Sequence, residues 1–224
     1  MLCVPRGVPP PVWEVGNVYM IKRIASWAGV IGPALFTLSF TVNGLLRPGY
    51  DPARRYISEL SIGPQGWIQM VSFMLLGISI LLFALGLRAC FPTGRASRAG
   101  PVLFMIIAVC YFLSGPFVTD PMAMFDNQQT LHGTVHGILG AIVFSLSAAA
   151  CFVLWRRFRA DERWKPLSAF SLAAGLVMVS LIVLMKIGQL QTGALHDWAG
   201  VVQRCCLITS YAWIAAISFR MGKA

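Results

Sequence analysis

The chain has 224 residues, of which 57% are hydrophobic and 12% charged, with a mean hydropathy of +0.72. Soluble domains carry about 25% charge and about 45–50% apolar residues, so the composition excludes an ordinary soluble or disordered protein and points to a membrane one. The formal charge of +10 is spread among the links between apolar runs, which argues against nucleic acid as a partner.

Residues 1–19, MLCVPRGVPPPVWEVGNVY, are rich in Pro and Gly and lack the apolar centre of a signal peptide. They read as a disordered N-terminal extension, with Met20-Ile-Lys-Arg as the expected start of translation. From residue 20 to 224 the chain reads as one domain. Six apolar runs follow, over residues 25–45, 67–87, 101–118, 134–155, 167–187 and 198–219, each near the roughly 20 residues that cross a bilayer as a helix. The expected fold is therefore all-α, a polytopic six-helix transmembrane bundle.

Orientation follows from the cations, because cytoplasmic links collect Lys and Arg. Lys22 and Arg23 precede the first run. Arg88, Arg95 and Arg98 lie at the second link, and Arg156, Arg157, Arg159, Arg163 and Lys165 at the fourth; Arg220 and Lys223 follow the last run. The alternate links hold only Arg47, Arg54, Arg55 and Lys186. Both termini are expected in the cytoplasm, with surrounding membrane lipids as the chain's constant partners. None of the six cysteines falls in an outer link, so they read as small buried hydrophobes rather than as a disulfide framework.

In chain order, Pro33 is expected to kink the first helix, and Asn43 near its outer end to hydrogen-bond across helices. The first outer link, RPGYDPARRYISELSIGPQG, carries a turn signal at Tyr50-Asp51-Pro52. ARRYISEL reads as a short interfacial helix capped near Asp51, with Arg54 and Arg55 facing headgroups or the link's own acids. Ser114-Gly115-Pro116 ends the third helix just before Thr119-Asp120-Pro121. The fourth opens on His132 and His136 and continues with Gly137, Gly140 and Ala141, small residues that allow close helix approach and predict a central position. Gln189, Gln191, His196 and Asp197 lie in the last outer link; Gln203 and Arg204 stand just inside the sixth helix.

All three histidines and five of eight carboxylates (Asp51, Glu59, Asp120, Asp126, Asp197) fall on the expected outer side, which predicts a polar pocket opening outward. His132 and His136, four apart, share a helical face. With His196 and Asp120 they form a ligand set suited to zinc, which lowers the pKa of bound water. In that reading Asp120 is ligand or base, Ser61 orients water and Arg204 neutralises Asp120 or an anionic lipid or envelope substrate; Asp51, Ser58, Glu59 and Gln203 are further pocket candidates. Gly133 stands where H-E-x-x-H has its Glu. Two other readings share these residues: a proton or solute path through His132, His136 and Arg204, and a purely structural set of helix caps and ion pairs. Two histidines on one helix do not suit bis-histidine haem.

D-P-x-x-x-x-I-S-E-L-S (Asp51–Ser61), P-F-V-T-D-P (Pro116–Pro121), H-G-x-x-H-G (His132–Gly137) and G-V-V-Q-R (Gly200–Arg204) together resemble the bacterial domain-of-unknown-function 998 membrane family, over about residues 20–220. The resemblance implies a six-helix membrane protein and no particular reaction. A weaker likeness, to alkaline ceramidase-type membrane hydrolases, pairs Ser58 or Ser61 with Asp120, His132, His136 and His196. It departs in helix number and in the mid-chain position of the histidine pair.

Overall fold

The computed structural model describes residues 12–94, 97–121, 129–189 and 195–223. Its regular structure is entirely helical: α1 (Val12–Leu46), α2 (Gly66–Cys90), α3 (Ala99–Leu113), α4 (Leu131–Arg159), α5 (Ser168–Gly188) and α6 (Ala199–Gly222). One-turn 3-10 helices at Ile57–Ser61, Lys165–Leu167 and His196–Trp198 sit in the links. Each helix packs on its neighbours in sequence and α6 returns to α1, so the ring closes; α6 also touches α2 across it.

Among the described residues five helices are long and apolar enough to cross a membrane: Tyr19–Leu46, Gly66–Cys90, Leu131–Arg159, Lys165–Gly188 and His196–Gly222. The apolar α3, with 15 residues, reaches only about 22 Å at 1.5 Å per residue, short of a hydrocarbon core of about 30 Å. The regular helix ends at Leu113, although Ser114 and Phe117 still donate to the carbonyls of Cys110 and Leu113. The centre of the ring holds Phe36, Phe73, Leu76, Phe83, Phe104 and Trp213. Outward faces carry Leu35, Leu45, Leu75, Val183 and Phe219, all exposed. Apolar surface on that scale is stable against lipid tails and a liability against water.

Three expectations change. α1 is helical from Val12, so residues 12–19 belong to it rather than to a disordered extension; residues 1–11 lie outside the described ones. Pro33 lies inside α1, and the Thr37 hydroxyl donates to its carbonyl at 2.8 Å. The ARRYISEL segment is no surface helix: its Ile57–Ser61 turn is buried along its whole length against α1, α2 and α6. α4, finally, is a ring member between α3 and α5 rather than a central helix.

At the end of the ring carrying most cations, Arg157 stacks on Phe91, 4.6 Å from the ring centroid, and pairs with Asp161 at 3.2 Å. Phe91, Phe158 and Trp164 close an aromatic cluster beside it. The opposite end carries the link 47–65, residues 114–121 and 129–130 and the turn into α6, and there the polar residues converge.

Candidate functional site

Two adjoining cavities, of about 150 Å³ and about 40 Å³, open at this end. Both are lined by Ser58, His136, Gly140, Phe144 and Gln203. The larger adds Tyr56, Asp120, Lys186 and Gln189 at its polar side, and Ile182 and Met185 from α5.

His136 is the most constrained of these. It is 7% exposed, its ring lies edge-on to Phe73 at 5.7 Å, and Nδ1 stands 2.6 Å from the Phe117 carbonyl. A carbonyl only accepts, so Nδ1 carries the proton. A buried imidazolium without a carboxylate partner would be costly, so the ring is neutral and Nε2 is left as an acceptor.

Gln203 reaches back from α6 and its Oε1 accepts from the Ile57 N–H at 2.8 Å. The amide N–H groups are what it retains for the cavity. Tyr56 is buried, and its hydroxyl has no hydrogen-bond partner among the described residues. Gln189 stands beside that hydroxyl outside hydrogen-bonding geometry. Burial pushes the Tyr56 phenol up to about 12, the nearby Glu59 adding to it and Gln189 opposing it.

Asp120 has a different task from the one expected. Its Oδ2 accepts from the Thr130 N–H at 2.8 Å and its Oδ1 from the Thr130 hydroxyl at 2.9 Å. Thr130 in turn caps α4 by accepting from the Gly133 N–H at 3.0 Å. A carboxylate here suits the positive end of the helix dipole. A Cβ on Gly133 would collide with that carboxylate, which gives the glycine of H-G-x-x-H-G a packing reason.

Arg204 is likewise committed. Nη1 donates to the carbonyls of Pro52 (2.7 Å), Arg55 (3.1 Å) and Gly200 (3.0 Å), and Nη2 donates to the Tyr50 hydroxyl at 2.6 Å. It therefore neither meets Asp120 nor lines the cavity. The whole G-V-V-Q-R motif is a dock for the first link. Gly200 lies under the carbonyls of Pro52, Ala53 and Arg55, and the Val201 N–H donates to Ala53 at 3.1 Å. Gln203 holds Ile57, and Arg204 holds the rest.

The expected metal ligands do not converge. His132, at the first turn of α4, is exposed and leans on Phe117 at 5.5 Å. His196 belongs to the turn before α6, its Nδ1 buried without a partner among the described residues, and neither lines the cavities. Among the described residues no group of three His, Cys, Asp or Glu side chains is arranged to hold a metal ion. Ser61 is buried and donates to the Ser58 carbonyl at 2.6 Å; Ser58, not Ser61, meets the cavity. Glu59 is buried against the Tyr56 N–H and Arg55, and Asp51 closes a turn on the Ala53 N–H and pairs with Arg54 at 3.7 Å. Arg54 also pairs with Asp197 at 3.3 Å, so the acids of the links hold both arginines. Asp126 and Gln191 lie outside the described residues.

The shape of the cleft comes from α4 and α5. Toward the basic end they touch, and a Cβ on Gly175 of α5 would press on Cys151 and Phe152 of α4. Toward the site, a Cβ on Gly137 or Gly140 would meet nothing within 4 Å. The small residues thus open a gap rather than close one. Sequence reasoning missed Tyr56; its signal was an aromatic hydroxyl one residue before the I-S-E-L-S run, in a link that had to fold inward.

An all-helical chain with five such helices and a polar cleft at one end has the make-up of a multi-pass membrane protein. Residues 30–220 match the family model described as "Protein of unknown function (DUF998)", and the chain belongs to that family. No curated protein and no solved structure matches it.

Proposed function

We infer that the chain is a six-span protein of the bacterial inner membrane, both ends in the cytoplasm, that binds the polar end of a lipid-like amphiphile from the outer leaflet. The cation-poor links at the site end support this orientation. α3 completes a sixth crossing if Ser114–Phe117 and local bilayer thinning make up its length.

The observation that carries the reading is the α4–α5 gap. It joins the buried Tyr56, Ser58 and His136 and the half-buried Gln203 to apolar walls (Phe144, Ile182, Met185), and beside Gly137 no described residue covers it. A few convergent polar groups in an apolar cleft are the usual form of a small-molecule site. A headgroup fits the first part and an acyl chain the second. A metal-dependent hydrolase acting on a lipid or envelope substrate draws no support from His132 and His196, which stand away from the cleft.

The test is native mass spectrometry of detergent-purified protein exposed to total membrane lipid. At Gly140 an added Cβ meets nothing within 4 Å among the described residues, so Gly140→Leu places its isobutyl group in the gap, and it favours the helix. A lipid adduct on the wild type that is lost in Gly140→Leu is expected; equal adducts on both would overturn the reading.

A further inference from the structure

We propose that the cleft selects an uncharged glyceride, a lipid whose headgroup offers both a free hydroxyl and ester carbonyls, over a phospholipid. This deepens the preceding reading and rests on it.

The donor and acceptor pattern of the inner wall sets the class. His136 Nε2 is an acceptor, because Nδ1 is spent on Phe117; it calls for a ligand O–H. Gln203 offers amide N–H groups, because its oxygen is spent on Ile57, and Tyr56 offers a hydroxyl with no partner among the described residues. Both call for ligand carbonyls. A buried hydroxyl without a partner carries a desolvation penalty, so a carbonyl arriving there relieves it.

Charge disfavours the alternative. A phosphate headgroup would need a free guanidinium or ammonium, or an open helix N-terminus. Around the site Arg204 is spent on carbonyls and Tyr50, and Arg47 on the carbonyls of Glu59 and Ile62. Arg54 and Arg55 are spent on carboxylates. The N-terminus of α4 already holds the Asp120 carboxylate, and the one Lys or Arg that lines the cavity among the described residues, exposed Lys186, donates to Gln189 at 3.2 Å and shares the cavity with that carboxylate. A phosphate would meet Asp120 before any uncommitted arginine among the described residues.

The experiment compares dioleoylglycerol with dioleoyl phosphatidic acid, which share their tails, by native mass spectrometry of the full chain and of Tyr56→Phe and Gly140→Leu. Wild type retains dioleoylglycerol, phosphatidic acid does not displace it, and Gly140→Leu loses it. Tyr56→Phe removes only an unpartnered hydroxyl, so it keeps or raises Tm while weakening dioleoylglycerol about 3- to 10-fold, the worth of one hydrogen bond. If phosphatidic acid binds better, or if Tyr56→Phe leaves dioleoylglycerol affinity unchanged, the headgroup assignment is overturned, while a Gly140-sensitive adduct still supports the cleft. If neither lipid's adduct responds to Gly140→Leu, the cleft reading falls with it.

Discussion

Arg204 of α6 donates to the hydroxyl of Tyr50 across 154 positions of sequence, at 2.6 Å, and the same guanidinium gathers the carbonyls of Pro52 and Arg55. The most expensive residue of the last helix is thus satisfied by backbone carbonyls and a phenol, with no acid opposite it. That is a use for which arginine's rigid fork is suited and the point charge of lysine is not.

Arg204→Lys is therefore expected to behave like a loss rather than a conservative change. Removing two or more charge-assisted bonds lowers stability by about 2–4 kcal/mol, read as a drop in Tm of the detergent-purified protein. Arg204→Lys with wild-type stability would show that the charge alone suffices.

Gly133→Ala should destabilise the wild type by at least the roughly 1 kcal/mol of a lost helix cap, because its methyl displaces the Asp120 carboxylate from Thr130. In an Asp120→Ala background the same change should cost almost nothing, since the obstruction is gone. A double-mutant cycle measures the coupling; additive effects would break the link between the two residues.

Tyr56 predicts an alkaline signature. Its folded pKa lies near 12, above the unfolded value of about 10. The folded state therefore holds the proton longer, and the associated stability is complete below about pH 10 and lost as pH rises toward 12. The difference in tyrosinate absorbance between wild type and Tyr56→Phe should titrate near 12, and the high-pH loss of Tm should be smaller in the variant. A difference curve centred near 10 would mean that the hydroxyl is solvated.

Single cysteines test the orientation in a background cleared of the native ones. In whole cells, His132→Cys should react with a membrane-impermeant maleimide, while Arg163→Cys should react only after the membrane is broken. The reverse pattern would place the cleft on the cytoplasmic side.

Much of this was legible in the sequence. The apolar runs marked every helix, and Ser58, Asp120, His136 and Gln203 were all singled out as polar residues at one end, where they do line the cavities. What the sequence hid was direction. Spacing of four puts His132 and His136 on one face, yet His132 sits a turn nearer the helix end, exposed with the Phe117 ring beside it, while His136 is enclosed by Phe73 and the Phe117 carbonyl. Gly137 and Gly140 suit a close helix contact and an open gap equally well, because the distinction lies in what faces them. Asp120 and Arg204 look alike as charges awaiting a substrate; one is a helix cap and the other a strap, and only the distant backbone reveals this.

The dependence of the first link on the start of α6 also sets an order of assembly. The Tyr50–Ser61 segment emerges early in synthesis but finds Gly200, Gln203 and Arg204 only once the final helix has been made. Until then the buried Glu59 and Ile57 stand without their lid, and any chain stopped short of residue 200 leaves the cleft end unfinished. Quality control that senses exposed polar groups in the bilayer would therefore discriminate between complete and truncated copies at this one seam.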